Sequence, residues 1–174
     1  MTPARRLHPA TDESVLKRAF SCFPSGVVAV CRIADDGRTP IGMSASAFTT
    51  VSLDPPLVSV CVRNGSSTWP TLQSPTASLG VSVFASHQGE ICRRMAGPPD
   101  GRFEGVHPIV GESGAVFVPG ASAHLQCSVF DEVPAGDHVV VLLRIEALRS
   151  DPAVEPLVFH ASSFRALEAR RAGV

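Results

Sequence analysis

The stretch from Pro40 to Val62, PIGMSASAFTTVSLDPPLVSVCV, decides how the rest of this chain is read. Four small residues, Ser44-Ala45-Ser46-Ala47, run into Phe48-Thr49-Thr50, and Asp54-Pro55-Pro56 then leads to the apolar run Leu57–Val62. Small side chains let backbone N–H groups come close to a flat ligand, with the Ser and Thr hydroxyls beside them as donors. The same composition also describes a β-turn-β unit whose turns are simply rich in hydroxyls. The segment alone leaves both readings open.

Working outward, the pattern is that of many short strands and few helices. Asp12 and Glu13 open a helix to about Phe23, with Val15, Leu16, Ala19, Phe20 and Phe23 on one stripe and Pro24 and Gly26 as the stop. Val27–Ile33 reads as a buried strand, and Asp35-Asp36-Gly37 as a hairpin turn into a strand over Thr39–Ala47. Leu57–Val62 and Leu79–Phe84 follow as strands, with one helical turn possible over Thr68–Gln73. Ser86 is a fitting N-cap for a helix ending at Ala96 before Gly97-Pro98.

The polar, Gly- and Pro-rich loop from Pro98 to Gly114 is long enough to serve as a lid. His124–Val133 alternates, with Leu125, Cys127 and Val129 on one face, and Pro134–Asp137 turns it into His138–Leu148. There Leu143, Ile145 and Ala147 alternate with Arg144 and Glu146. The expectation is a mainly β domain with a few helices, closed as an antiparallel barrel.

Bulk properties narrow the function. At 174 residues, 44% hydrophobic and 18% charged, the chain suits one folded domain, expected over residues 11–170 behind a flexible tail at 1–10. A formal charge of −1 without a basic, aromatic-interleaved patch gives no case for nucleic acid. No apolar run reaches the roughly 20 residues that span a bilayer. Five cysteines (22, 31, 61, 92 and 127) in no C-x-x-C pair, and no signal-like apolar region after the start, point to free thiols in the cytoplasm. His87, Cys92 and His107 lack the spacing of a zinc site, so no metal is expected. Neither a G-x-S-x-G elbow nor a G-x-G-x-x-G turn is present, so neither a serine hydrolase nor a Rossmann domain is indicated.

As a whole string, Pro40–Val62 resembles the signature of the flavin reductase family, the FMN-binding split barrels. The likeness continues through Phe23–Val30, Arg38–Met43, Gln88–Ala96, Asp100–Val106, Gly136-Asp137-His138 and Pro156–His160, in order from about Phe20 to Leu167. Met95 and Phe159 depart from it, standing where an aromatic and a tyrosine are common. The resemblance implies an antiparallel Greek-key split β-barrel that binds FMN or FAD and takes hydride from NADH or NADPH. It further implies a homodimer that hands reduced flavin to a separate monooxygenase.

Hydride transfer between two cofactors asks little acid–base work of a protein; it must hold the rings in reach and solvate the developing charge. The resemblance places Ser44, Ala45, Ser46 and Ala47 beside the isoalloxazine ring, with Cys61 and Val62 as a second wall, and adds Thr39, Thr49 and Phe103 to the cofactor set. Arg63-Asn64-Gly65-Ser66-Ser67-Thr68 offers a cation and three hydroxyls, with Arg63, Ser66 and Ser67 as phosphate or ribityl contacts, or else forms a solvated loop. Ser86 and Gln88 begin a helix, where an anion or plain capping would satisfy the free N–H groups. Arg93 could reach a phosphate or form a surface ion pair. His138 is either a turn residue or, as the GDH resemblance implies, the catalytic-site group facing the nicotinamide, with Asp137 orienting its ring. Two rival functions stay open: a split barrel that keeps its flavin and reduces another acceptor, and a non-catalytic flavin-binding module.

Overall fold

In the computed structural model, which describes residues 9–74 and 78–167, Asp12 opens the first helix. Its Oδ1 accepts from the N–H groups of Ser14 (2.7 Å) and Val15 (3.4 Å), starting α1 (Glu13–Ser21). Most of the expected tail, and the last three residues of the expected domain, lie outside the described residues. The apolar stripe of this helix does not enter the core of the chain. No α1 residue is buried, and Phe20 and Phe23 are 71% and 77% exposed.

After β1 (Ser25–Gly26), β2 (Val28–Ile33) is buried on both faces. Val28 and Val30 enter one hydrophobic cluster while Ala29 and Cys31 enter another, which is why the strand is almost continuously apolar. Asp36 builds the next turn: its Oδ1 accepts from the N–H groups of Arg38 and Thr39 at 2.8 Å each, and Gly37 takes φ +71°. The chain returns as β3 (Pro40–Ala45). The signature then differs from its reading as turns. Phe48–Leu53 forms a strand, β4, so the connection is only Ser46-Ala47, and β4 hairpins into β5 (Pro56–Arg63).

The single turn α2 (Trp69–Leu72) packs its buried Trp69 and Leu72 into the first cluster. Next comes β6 (Leu79–Val83), where a Cβ on Gly80 would lie 2.1 Å from the Val116 carbonyl oxygen, so only glycine fits beneath the crossing chain. The helix α3 (Gly89–Ala96) is preceded by a 3₁₀ turn over Ser86–Gln88, and its capping corrects the sequence expectation. The capping falls on Ala85 and Gln88 instead of Ser86. Gln88 Oε1 accepts from the Ala85 N–H at 2.9 Å while its Nε2 donates to the Pro119 carbonyl at 2.7 Å. The short hairpin β7 (Ile109–Val110) and β8 (Val116–Phe117) breaks up the expected lid loop.

Two thirteen-residue strands follow, β9 (Ala123–Ala135) and β10 (His138–Ser150). Their register shifts between Ile145 and Ala147, leaving Glu146 as a bulge. Ile145 therefore pairs with Cys127 but Ala147 with Gln126, which moves Ala147 off the face of Leu143 and Ile145. A three-stranded sheet of β1, β11 (Val158–His160) and β12 (Ser163–Arg165) completes the chain.

The main sheet has seven strands in the order β3-β2-β6-β9-β10-β5-β4, and every neighbouring pair is antiparallel. It is mainly β with few helices, and the sheet is not closed. Residues of β2 and β5, which are not neighbours, share one cluster with Leu79, Val81, Val141 and Leu143, so the sheet curls around its core. Its two edge strands, β3 and β4, are consecutive in the chain, and Ser46-Ala47 joins them at the open seam.

Candidate functional site

At that seam the small residues border a cleft of about 570 Å³, within the range of small-molecule sites. The β3 end supplies Ser44 and Ala45, the connection Ser46 and Ala47, and the inner strand β5 supplies Cys61, Val62 and Arg63. Ser66 and Ser67, from the turn before α2, and His138, at the start of β10, complete the expected residues found together. Six more line the cleft: Gly65 and Thr68, from the hexapeptide read as a possible cradle, and Met43, Met95, Ala96 and Arg102, which were not singled out as ligands.

Arg102 is the strongest positive feature there. It is only 9% exposed, and its Nη1 donates to the Gly42 carbonyl (2.6 Å) and Thr68 Oγ1 (2.9 Å). Nε and Nη2 both donate to the Gly97 carbonyl, at 3.0 and 2.7 Å. Every one of these partners is neutral, and among the described residues no carboxylate pairs with it. Burial holds its pKa below the usual guanidinium value, opposed by the Cys31 thiol nearby. A buried cation without a counter-charge, opening on a cleft, favours an anionic ligand. The same bonds pin the Pro98–Gly105 loop to β3 and to the start of α2, so this stretch is a fixed wall, not a free lid.

The turn before α2 is also fixed. Ser66 Oγ accepts from the Trp69 N–H at 3.1 Å, and Trp69 Nε1 donates to Glu132 Oε1 on β9 at 2.8 Å. Gln73 Nε2 donates to both oxygens of the same carboxylate, at 2.9 and 3.0 Å. Ser66 is taken up by its bond to Trp69, while Ser46, Ser67 and Arg63 are exposed polar groups of the lining.

His138 stands opposite Arg63 in the ladder, and its Nδ1 lies 2.8 Å from Asp137 Oδ1. The turn holding this pair is tight: Gly136 takes φ +68°, and Asn64 donates from its backbone N–H to the Asp137 carbonyl and from Nδ2 to the Gly136 carbonyl. The hydrogen bond from His138, then its charge, holds the Asp137 carboxyl below the ordinary carboxylate range. Asp137 itself does not line the cleft; it orients the imidazole that does.

The remaining expected ligands lie apart. Thr49 lines a neighbouring cleft of about 670 Å³ that shares Ser46, Ala47 and Cys61 with the first and also includes Phe20, Phe23 and His160. Arg93 borders a smaller recess of about 270 Å³ with Ser44 and Ser46, where its guanidinium lies 4.7 Å from the centre of the Phe164 ring. That stacking is neither of the two roles expected from sequence. Thr39, whose hydroxyl donates to Asp36, and Phe103 line a further cleft of about 540 Å³. Ser86 and Gln88 line none of these four. Arg102 could not be weighted from sequence, because its partners Gly42 and Thr68 lie 60 and 34 residues away.

A sheet with a ligand-sized seam, hydroxyls on one wall and a buried cation on the other defines a small-molecule binding β-protein, and comparison with known proteins says which. The chain belongs to the flavin reductase family: the Flavin reductase like domain matches residues 20–168. It is 37% identical over 170 residues to the NADH-dependent flavin reductase of a Rhodococcus species, covering 95% of this chain and 92% of that one. The solved Streptomyces globisporus C-1027 NADH:FAD oxidoreductase SgcE6, in complex with NAD and FAD fragments, superposes with a TM-score of 0.86 at 34% identity, over 97% of this chain and 99% of that chain. BorF, the flavin reductase component of a bacterial two-component tryptophan halogenase, gives a TM-score of 0.80 at 34% identity, over 91% of this chain and all of that one. Against the protein named "Probable flavin reductase" in Rhizobium meliloti, this chain spans 44% of the relative's length.

Proposed function

We propose that this chain is an NAD(P)H-dependent flavin reductase that reduces FMN or FAD in the cleft around Ser44–Ala47 and gives up the reduced flavin to a separate monooxygenase. The observation that carries the reading is the seam itself: a small-residue edge facing a buried, uncompensated Arg102 across about 570 Å³. A flat, phosphate-bearing ring system suits that donor set. The flavin and the nicotinamide would supply the hydride chemistry, as acceptor and donor.

The residues have separable tasks. Ser44, Ala45, Ser46 and Ala47 let the backbone approach a ring face, while Cys61 and Val62 close the opposite wall. Arg63 and Ser67, with Arg102 behind them, hold the phosphate end. His138, fixed by Asp137, offers its ring to a nicotinamide carboxamide. Thr49, Thr39, Phe103 and Arg93 stand at the margins of the site, and Ser86 and Gln88 serve the start of α3.

The sheet order, with consecutive strands at its two open edges, supports assigning the fold as an antiparallel Greek-key split barrel with its seam at Ser46-Ala47. A second copy of the chain, laid over Phe20 and Phe23, would cover both phenylalanines and wall the 670 Å³ cleft, and we assign a homodimer on that ground. Light scattering then gives roughly twice the 18.3 kDa chain mass. All five cysteines are free, which supports a reducing, cytoplasmic setting, and among the described residues no helix is long and apolar enough to cross a membrane. Anaerobic mixing of protein, flavin and NADH, followed by ultrafiltration, tests the release of product. Reduced flavin in the filtrate supports the two-component role; flavin that stays with the protein favours a reductase of some other acceptor.

A further inference from the structure

Trp69 is the only tryptophan of the chain, and its ring is buried in the cluster that holds Val141 and Leu143. Its indole N–H leaves that cluster to meet Glu132 Oε1 at 2.8 Å, and Gln73 Nε2 donates to both oxygens of the same carboxylate. Glu132 is exposed and forms no ion pair among the described residues. Its carboxylate thus accepts from two neutral side chains of one short segment and from no cation. Such charge-assisted bonds are stronger than neutral ones. Burial of the ring does not call for them, since water beside an exposed position satisfies an indole N–H as well.

The segment so held is fastened to the β9–β10 hairpin at two points. Near its start, Asn64 donates from its N–H to the Asp137 carbonyl at 3.0 Å and from Nδ2 to the Gly136 carbonyl at 3.2 Å. At its end, Trp69 and Gln73 hang from Glu132, which pairs with Val141 in the hairpin ladder. Between the two anchors lie Gly65, Ser66, Ser67 and Thr68, all four of them in the lining of the seam cleft. The Trp69 N–H donates back to Ser66 Oγ, and the Thr71 and Leu72 N–H groups to the Thr68 carbonyl, so a shift of Trp69 is passed to that wall. The same hairpin carries His138, so it fixes two walls of the cleft relative to each other.

We propose that Glu132 is a positioning residue of the reductase: acting through Trp69 and Gln73, it holds Ser66–Thr68 in place for the phosphate of FMN. The proposal rests on the reading above that puts the phosphate end at Arg63 and Ser67.

Three substitutions test it. Glu132→Ala removes the far anchor; Glu132→Gln keeps an acceptor for the indole and lets Gln73 turn its amide to pair; Trp69→Phe keeps a ring but loses the N–H. FMN and riboflavin are titrated against each. Glu132→Ala raises the FMN Kd about fivefold and leaves riboflavin within about twofold, and Glu132→Gln restores both to within about twofold of wild type. The double variant Trp69→Phe/Glu132→Ala binds FMN no more weakly than Glu132→Ala alone, because the two act as one unit. Native FMN affinity in Glu132→Ala, an equal loss for FMN and riboflavin, or additive losses in the double variant overturn the proposal.

Amide hydrogen exchange of the flavin-free protein gives a second readout. Residues 64–72 exchange faster in Glu132→Ala than in wild type, while β6 is unchanged; equal exchange over 64–72 also overturns the proposal. Failure of the phosphate-end reading shows in wild type alone, as FMN bound no more tightly than riboflavin, and the exchange measurement then still decides whether Glu132 holds the wall.

Discussion

Arg102 Nη1 donates to Thr68 Oγ1 across 2.9 Å, and that bond joins the loop after α3 to the residue that starts α2. The same nitrogen donates to Gly42 on the edge strand β3, so one guanidinium fixes three walls of the cleft at once. Arg102→Met would leave the Gly42 and Gly97 carbonyls and the Thr68 hydroxyl without this donor. The expected loss is about 2–4 kcal/mol of stability, read from the denaturation midpoint. FMN and FAD should also bind more weakly, and riboflavin less so, because it carries no phosphate for the cation to meet. Equal losses for all three flavins would confine Arg102 to the scaffold.

Ser46 is exposed and lies at the meeting point of three clefts. Ser46→Leu adds bulk there without entering the core. Flavin Kd is expected to rise about tenfold, roughly 1.4 kcal/mol, with the melting temperature nearly unchanged. Ala45→Leu is the less clean version, since Ala45 packs against the buried cluster. Wild-type flavin affinity in folded Ser46→Leu protein would remove the segment from the site.

His138 and Asp137 form a pair whose role splits by measurement. If the imidazole meets the nicotinamide, His138→Ala raises KM for NADH or lowers kcat by about 1–3 kcal/mol and leaves flavin Kd alone. A lowered melting temperature with wild-type kinetics would mark a turn residue. The Asp137 carboxyl is held below its ordinary pKa, first by the hydrogen bond from His138 and then by its charge. Its contribution is thus present above the ordinary carboxylate range and is lost as pH falls through the depressed value. Asp137→Asn should therefore differ from wild type near neutrality and converge with it in acid.

The thiols give a pH test of the core. Burial pushes Cys31 and Cys127 up to about 12 and Cys92 up to about 11, against an ordinary value of 9.0. Above pH 9 the unfolded chain loses these protons while the folded chain keeps them, so stability falls with rising pH until each folded value is passed. Each thiol contributes a slope of about 1.4 kcal/mol per pH unit in that window. A thiol-specific reagent at mildly alkaline pH should modify exposed Cys22 and half-buried Cys61 and spare the other three. Bound flavin should protect Cys61, which lines the cleft; equal labelling with and without flavin would place the ligand elsewhere.

Local pattern carried far in this chain, and it stopped where contacts are long-range. The long strands β9 and β10, the Asp12 cap and the Gly37 turn were readable because each depends on residues within a few positions. The alternation at Ala147 failed because a bulge is set by the partner strand. Ser86 was a reasonable cap, but Gln88 reaches Pro119 as well as Ala85, and only the fold brings Pro119 near. Ten of the expected ligands meet in one cleft because β3, β5 and β10 are brought to the seam by sheet order. Arg102 went unweighted for the same reason in reverse: it lies in the Asp100–Val106 stretch that carries the resemblance, but the partners that bury it, Gly42 and Thr68, are 60 and 34 residues away.

The most direct test of the central claim is steady-state oxidation of NADH and NADPH by the purified chain, with FMN, FAD or riboflavin supplied in turn. The account predicts nicotinamide oxidation that depends on added flavin, saturates with it, and is lost at low flavin concentration in Ser46→Leu. Folded wild-type protein that binds flavin yet oxidises neither nicotinamide with any of the three would contradict it and leave a flavin-binding module in its place.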